Sequence, residues 1–130
     1  MILDTSAIIA VLSDEPDAPD LAQRMEAAQV VRVSAATVLE ASLVAGPTRQ
    51  HDLDDLLAAA AANIVPVDDT QLAIAREGHL RFGRGSGSPA RLNYGDCFSY
   101  ALARALSEEL LFIGDDFTHT DVEPARRGPH

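Results

Sequence analysis

Met1-Ile2-Leu3-Asp4-Thr5-Ser6-Ala7-Ile8-Ile9-Ala10-Val11-Leu12 opens the chain, and the order of its residue types decides the fold class. Ile2-Leu3 reads as a short buried strand, Asp4-Thr5-Ser6 as a turn and Ala7 to Leu12 as a short helix, which places Asp4 at the strand's carboxyl end. Working outward, the same alternation recurs. Ser13 to Pro19 is a polar, proline-bearing loop, Asp20 to Ala28 is rich in helix formers, and Val30 to Val33 reads as a second strand. Ser34 is placed to cap a helix from Ala35 to Ala45, which Gly46-Pro47 stops. A helix-prone run from Asp52 leads to a strand at Ile64 to Val67, and Asp69-Thr70 opens a helix reaching about Phe82. The glycine-serine stretch from Gly83 to Pro89 is a loop, Tyr94-Gly95-Asp96 precedes an apolar-periodic helix from Cys97 to Leu106, and Leu110 to Ile113 is a last short strand ending at Gly114-Asp115-Asp116. Short apolar strands separated by helices predict an α/β fold, a parallel sheet covered on both faces.

A chain of 130 residues, 47% of them apolar, is the size of one domain with one closed core. Ten basic and 20 acidic residues give a formal net charge of −10, so broad charge neutralisation of a nucleic acid is disfavoured and any such contact must be local or helped by a cation. All ten basic residues are arginine. The absence of lysine excludes Schiff-base catalysis, a P-loop and the lysine of phospho-aspartate systems. Cys97, the single cysteine, forms no internal disulfide and fits a reducing compartment. The N-terminus lacks the features of a signal peptide, and no apolar run approaches the roughly 18 residues of a membrane span. A soluble, cytoplasmic protein is expected, with no membrane contact.

In parallel sheets, ligands bind beyond the carboxyl ends of the strands. Asp4 and Asp115-Asp116 both follow a strand, and Asp96 stands at a helix start, so all fall at or near that edge. Glu40 is the most informative residue, because Val38-Leu39-Glu40-Ala41-Ser42-Leu43-Val44 surrounds a carboxylate with apolar or small neighbours, where it is costly unless paired, hydrogen-bonded or metal-bound. Each acid has a plainer reading. Asp4 and Asp96 are also natural helix-start residues, and Asp115-Asp116 is also a common turn pair. Taken together, carboxylates on one edge repel one another, and a divalent cation is the usual remedy. Oxygen-only ligands suit magnesium or manganese and, with them, metal-assisted phosphodiester hydrolysis.

The segments Met1-Ile2-Leu3-Asp4-Thr5-Ser6-Ala7, Ser34-Ala35-Ala36-Thr37 followed by Glu40, Leu92-Asn93-Tyr94-Gly95-Asp96-Cys97, and Leu110-Leu111-Phe112-Ile113-Gly114-Asp115-Asp116-Phe117 with Thr120-Asp121 together resemble a PIN-domain protein, more narrowly a VapC-type toxin of a type II toxin–antitoxin pair. The resemblance spans essentially the whole chain. It implies a PIN-like three-layer α/β/α sandwich over residues 1–123, with a mainly parallel four- or five-stranded sheet, and a flexible tail over 124–130. It further implies a Mg²⁺- or Mn²⁺-dependent endoribonuclease acting on RNA, a homodimer, and inhibition by a VapB-type antitoxin. By position, Asp4 and Asp96 are the principal metal ligands and Glu40 completes the site or orients water. Asp115 supplies the fourth acid, or Asp116 does if the turn is shifted by one residue. Thr5 or Ser6 hydrogen-bonds within the site to orient Asp4 or the phosphate.

Two features reconcile the net charge with an RNA substrate: cations held by the acids, and a local phosphate-binding strip of Arg81, Arg84 and Arg91 around the glycine-serine loop, since arginine donates two hydrogen bonds to phosphate. The dispersed His51, His79, His119 and His130 show no zinc-ligand spacing and read as surface residues. Ile8, Ile9, Val11, Leu12, Leu21 and Met25 either pack inside the domain or supply a groove for an antitoxin helix. Ser6, standing where an aspartate-nucleophile phosphatase needs a second aspartate, argues against that enzyme class. A non-catalytic PIN-like protein-binding module is the alternative; its signature would be loss of an acid, and every acid is present.

Overall fold

Strand β1 (Ile2–Leu3) sends its two side chains to opposite faces, as strand geometry requires, and so seeds two separate cores. The computed structural model describes residues 1–126. Ile2, with Leu110 of β4 (Leu110–Leu111), packs toward Leu102 and Tyr100; Leu3, with Leu111, packs toward Ile8, Leu21 and Leu53. Each such residue taken fully out of water contributes about 1.5–3 kcal/mol, which is why a two-residue strand persists in the middle of the sheet.

Two more strands, β2 (Arg32–Ser34) and β3 (Asn63–Val65), complete a sheet in the order β3-β2-β1-β4. All pairings are parallel, with Ile2 opposite both Arg32 and Leu110, and Val33 opposite Ile64. Helices α1 (Thr5–Leu12), α2 (Ala18–Ala27) and α4 (Gln50–Ala59) bury Ile8, Leu21, Met25, Leu53 and Leu57 on one face. Helix α6 (Tyr94–Leu106), backed by α5 (Asp69–Phe82), covers the other. Helix α3 (Ala35–Ala45) touches both α1 and α6. The three-layer α/β/α architecture is therefore present with four strands, all parallel. None of the helices is long and apolar enough to cross a membrane among the described residues.

The boundaries differ from expectation for identifiable reasons. Helix α1 begins at Thr5 rather than Ala7 because Asp4 caps it, accepting from Ser6 N at 3.0 Å. Helix α2 includes Pro19, which a first helical turn tolerates because its missing N–H would be unpaired anyway. Strand β2 starts two residues later than expected and ends one later, at Ser34, which turns to cap α3 through Ala36 N. Strand β3 stops before Pro66, which has no N–H for the ladder. Strand β4 is two residues rather than four, since Ile113 N donates to Ser6 Oγ instead of to a strand. Helix α4 ends at Ala59 despite the following alanines, because Ala61 at φ 49° turns the chain back toward β3. Of the expected tail, Pro124 bridges Leu110, Ala125 N donates to Leu110 O, and Arg126 pairs with Asp17 and Asp20; residues 127–130, with His130, lie outside the described residues.

Candidate active site

Strand β1 has its neighbours β2 on one side and β4 on the other, so the chain changes direction across the sheet at β1, and a crevice opens at the carboxyl ends of β1 and β4. Asp4 leaves β1 there and is 3% exposed. Burial of a carboxylate requires donors, and Asp4 has three. Ser6 gives Oδ2 both its backbone N–H at 3.0 Å and its hydroxyl at 2.6 Å, while Ser99 Oγ of α6 donates to Oδ1 at 2.7 Å. Thr37 of α3 stands 3.3 Å behind Ser99, so buried hydroxyls from α3 and α6 fix the aspartate from the far side. Because Ser6 Oγ also accepts from Ile113 N at 3.0 Å, one hydroxyl ties the end of β1 to the segment leading to Asp115-Asp116.

Asp96 occupies the third position of α6. Its Oδ2 accepts from Asn93 N at 3.0 Å while Asn93 Oδ1 accepts from Asp96 N at 2.9 Å, a reciprocal capping box that locks the helix start. The plainer readings of Asp4 and Asp96 as helix-start residues are thus correct, and the same contacts hold each carboxylate at the edge.

Glu40 is delivered by α3. Thr5 Oγ1 donates to Glu40 Oε1, and the carboxylate lies so close over Gly95 that a Cβ there would overlap Oε2. The costly carboxylate among apolar neighbours is therefore turned inward, against the start of α6 and the start of α1.

Three of the acids act electrostatically on Asp96. Burial pushes Asp96 up to about 7, against the opposing hydrogen bond from Asn93, and the negative charges of Asp4, Asp116 and Glu40 push in the same direction. No arginine among the described residues counters them at Asp96. Asp115 and Asp116 are both exposed; Asp115 is not among the charges acting on Asp96, and its carbonyl accepts from Thr118 N and Thr118 Oγ1 at 3.1 and 2.7 Å. Among the described residues, no three His, Cys, Asp or Glu side chains already converge on a point at metal-ligand distance. The donors are nonetheless all oxygens and the uncompensated charge is negative, the combination that Mg²⁺ or Mn²⁺ fits.

A scan against family models matches the PIN domain over residues 1–123. Among curated proteins, VapC ribonuclease Mb0625 of Mycobacterium bovis and ribonuclease VapC28 of Mycobacterium tuberculosis are each 48% identical over 129 residues, covering 96% of this chain and 97% of the relative. The chain belongs to the VapC ribonucleases of the PIN-domain family. The fold is shared with a solved structure: a chain from a toxin–antitoxin complex of Klebsiella pneumoniae superposes with a TM-score of 0.68 at 20% identity, covering 92% of both chains.

In this VapC chain the arginines of the expected strip separate. Arg81 is engaged, lying 3.7 Å from Glu77 and 3.4 Å from Asp121, with its guanidinium 4.7 Å from the Phe82 ring centre. Arg84 and Arg91 are exposed and carry no side-chain ion pair among the described residues. His51, His79 and His119 are exposed. Three residues of the site escaped the sequence reading. Ser99 lies one helical turn after Asp96, a spacing that places both on one face; Thr37 precedes Glu40 by the same three residues; and Gly95 is a glycine inside a capped helix start, a position that signals close approach.

Proposed function

We propose that the protein is the toxin of a type II toxin–antitoxin pair, an Mg²⁺- or Mn²⁺-dependent endoribonuclease that hydrolyses RNA phosphodiester bonds in the cytoplasm and is held inactive by a VapB-type antitoxin. The observation that carries this reading is the placement of carboxylates at the carboxyl edge of the sheet, Asp4 at the end of β1 and Asp96 at the start of α6 with Glu40 held over the neighbouring Gly95, none of them ion-paired to an arginine among the described residues. The names of the VapC ribonuclease relatives support RNA as substrate, and the toxin–antitoxin complex supports an antitoxin as partner.

In this reading Asp4 and Asp96 hold the ion, and Glu40 orients the attacking water. Asp115 or Asp116 supplies the fourth acid, and of the two it is Asp116 whose charge acts on Asp96. When bound, Mg²⁺ or Mn²⁺ neutralises the acids, holds the scissile phosphate and makes water a better nucleophile near neutral pH. The chain's own work is positional: Ser6 and Ser99 keep both oxygens of Asp4 oriented, Asn93 does so for Asp96, and Thr5 for Glu40. No lysine or histidine base is needed.

Two surfaces suit the protein partners. A cavity of about 610 Å³ between α1, α2 and α4, lined by Val11, Leu12, Met25 and Leu56, suits an apolar antitoxin helix; Ile8 and Leu21 are buried in the core instead. On α3, Leu39, Leu43 and Val44 are 62%, 76% and 56% exposed, an apolar stripe suited to the homodimer.

The test is cleavage of a mixed RNA pool by antitoxin-free protein, with Mg²⁺ or Mn²⁺ against chelator, beside Asp4→Asn and Asp96→Asn. Cleavage that needs metal and is lost in both variants is expected. Cleavage that persists in chelator, or in both variants, would refute the metal-dependent reading; a metal-loaded protein that cuts no RNA would favour the binding module.

A further inference from the structure

A second cavity, of about 670 Å³, adjoins the acids on the other side of the α6 start, between α5, the glycine-serine loop and α6. Leu72, Leu92 and Phe98 form its apolar floor, and Tyr94 stands at its rim, 83% exposed, with its ring edge-on to Phe98 at 5.0 Å between centres. Tyr94 and Asn93 connect the two sites directly, since Asn93 N binds the Asp96 carboxylate and Gly95 underlies Glu40. Tyr94 thus offers an accessible aromatic face beside the acids, a surface on which a planar ligand is able to stack.

The cations around this cavity are of a particular kind. Six of the nine arginines among the described residues (Arg24, Arg32, Arg49, Arg81, Arg104 and Arg126) are bound to carboxylates, carbonyls or a hydroxyl. The side chains of Arg76, Arg84 and Arg91 have no such partner among the described residues. Two of these three, Arg76 and Arg84, line this cavity, with His79 beside them. In a chain of net charge −10 with twice as many acids as bases, arginines left unpaired at one place mark where a polyanion is met.

We propose that this cavity is a subsite for the RNA strand beside the cleaved bond: a nucleobase stacks on Tyr94 over the apolar floor, and Arg76 and Arg84 hold the flanking phosphates. The proposal rests on the ribonuclease reading above. It moves the phosphate contacts from Arg81, which Asp121 and Glu77 occupy, five residues back along α5 to Arg76, on a different face of the helix. Stacking tolerates any base, so the subsite supplies grip and register rather than a sequence code, and it admits single-stranded RNA, whose bases are free to turn outward.

The chain has no tryptophan and two tyrosines, and Tyr100 is buried with its hydroxyl on Asp121 at 2.8 Å, so tyrosine fluorescence reports Tyr94. The experiment titrates metal-free protein with labelled single-stranded RNA of mixed sequence, reading anisotropy and tyrosine quenching across salt, and then follows cleavage with Mn²⁺. Tyr94→Ala is expected to weaken binding by about 5- to 100-fold, while Tyr94→Phe keeps the affinity and loses the quenching. Arg76→Ala with Arg84→Ala is expected to raise KM at least tenfold and make the salt slope shallower by about 1.4, the amount for two contacts to a single strand. Wild-type affinity, KM and salt slope in all of these variants would overturn the subsite even if the protein cleaves RNA. So would variants that keep RNA affinity but lose the dimer or antitoxin co-elution, because the cavity would then be a protein contact. A wild-type protein that binds RNA with these same variant losses yet never cleaves it would uphold the subsite and remove the nuclease reading.

Discussion

Asp96→Asn should make the metal-free protein more stable at pH 8, while abolishing its activity. Burial and the charges of Asp4, Asp116 and Glu40 raise Asp96 from 3.8 to about 7 in the folded chain, so its proton favours the folded state. A raised pKa contributes stability that is fully present below 3.8 and is lost as pH rises through about 7. At 1.36 kcal/mol per pH unit the interval is worth about 4 kcal/mol, and screening on the side open to solvent reduces this to about 2 kcal/mol. Asparagine mimics the protonated acid and keeps an oxygen for Asn93 N, so the capping box survives. Chemical denaturation in chelator should therefore find wild type and variant alike near pH 4, and the variant ahead by about 2 kcal/mol at pH 8, or about 6 °C in Tm for a domain of this size. Other carboxylates titrate in both proteins and cancel in the difference. Adding Mn²⁺ at pH 8 should restore the wild type, by about 2.7 kcal/mol at 100 times its Kd, and leave the variant nearly unmoved. A difference between the two proteins that does not change with pH, or a wild type that is the more stable at pH 8 without metal, would refute the argument.

Gly95→Ala should cost little stability, since alanine is the better helix former by about 1 kcal/mol and the Glu40 tip is able to swing aside. Displacing that carboxylate should nevertheless lower cleavage about 100-fold, measured as kcat on folded protein. Gly78→Ala provides the contrast: its Cβ would stand 2.7 Å from the buried Tyr100 ring, so unfolding should become easier by about 1–3 kcal/mol with activity per folded molecule unchanged. Ser99→Ala removes the 2.7 Å hydrogen bond to Asp4 Oδ1, and Mn²⁺ affinity by calorimetric titration should fall about 10- to 100-fold. An unchanged affinity would mean that Ser6 alone suffices to orient Asp4.

Legibility of the site in the sequence followed the range of the interactions. Asp4 was readable because the Ser6 N–H that it caps is two residues away, and Asp96 because its capping-box partner Asn93 is three away. Glu40 was readable as an anomaly, a carboxylate in an apolar helix, although what it meets was not. Ser99 and Thr37 are ordinary small polar residues whose role depends on lying 95 and 33 positions from Asp4, arithmetic that only the packing of α6 and α3 supplies. In the same way, three arginines close in sequence formed a plausible strip until Asp121, brought back beside α5 by the chain's end, engaged Arg81.

By itself, the sequence determined the alternation of strand and helix, the parallel sheet, the caps and the acids at strand ends, because period, capping and turn chemistry act over a few residues. Tertiary structure decided where the strands stop, which buried hydroxyls hold Asp4, why position 95 is glycine, and which arginines remain unpaired. Those outcomes depend on desolvation and charge contacts between distant segments, and their strength is set by distance in space rather than along the chain.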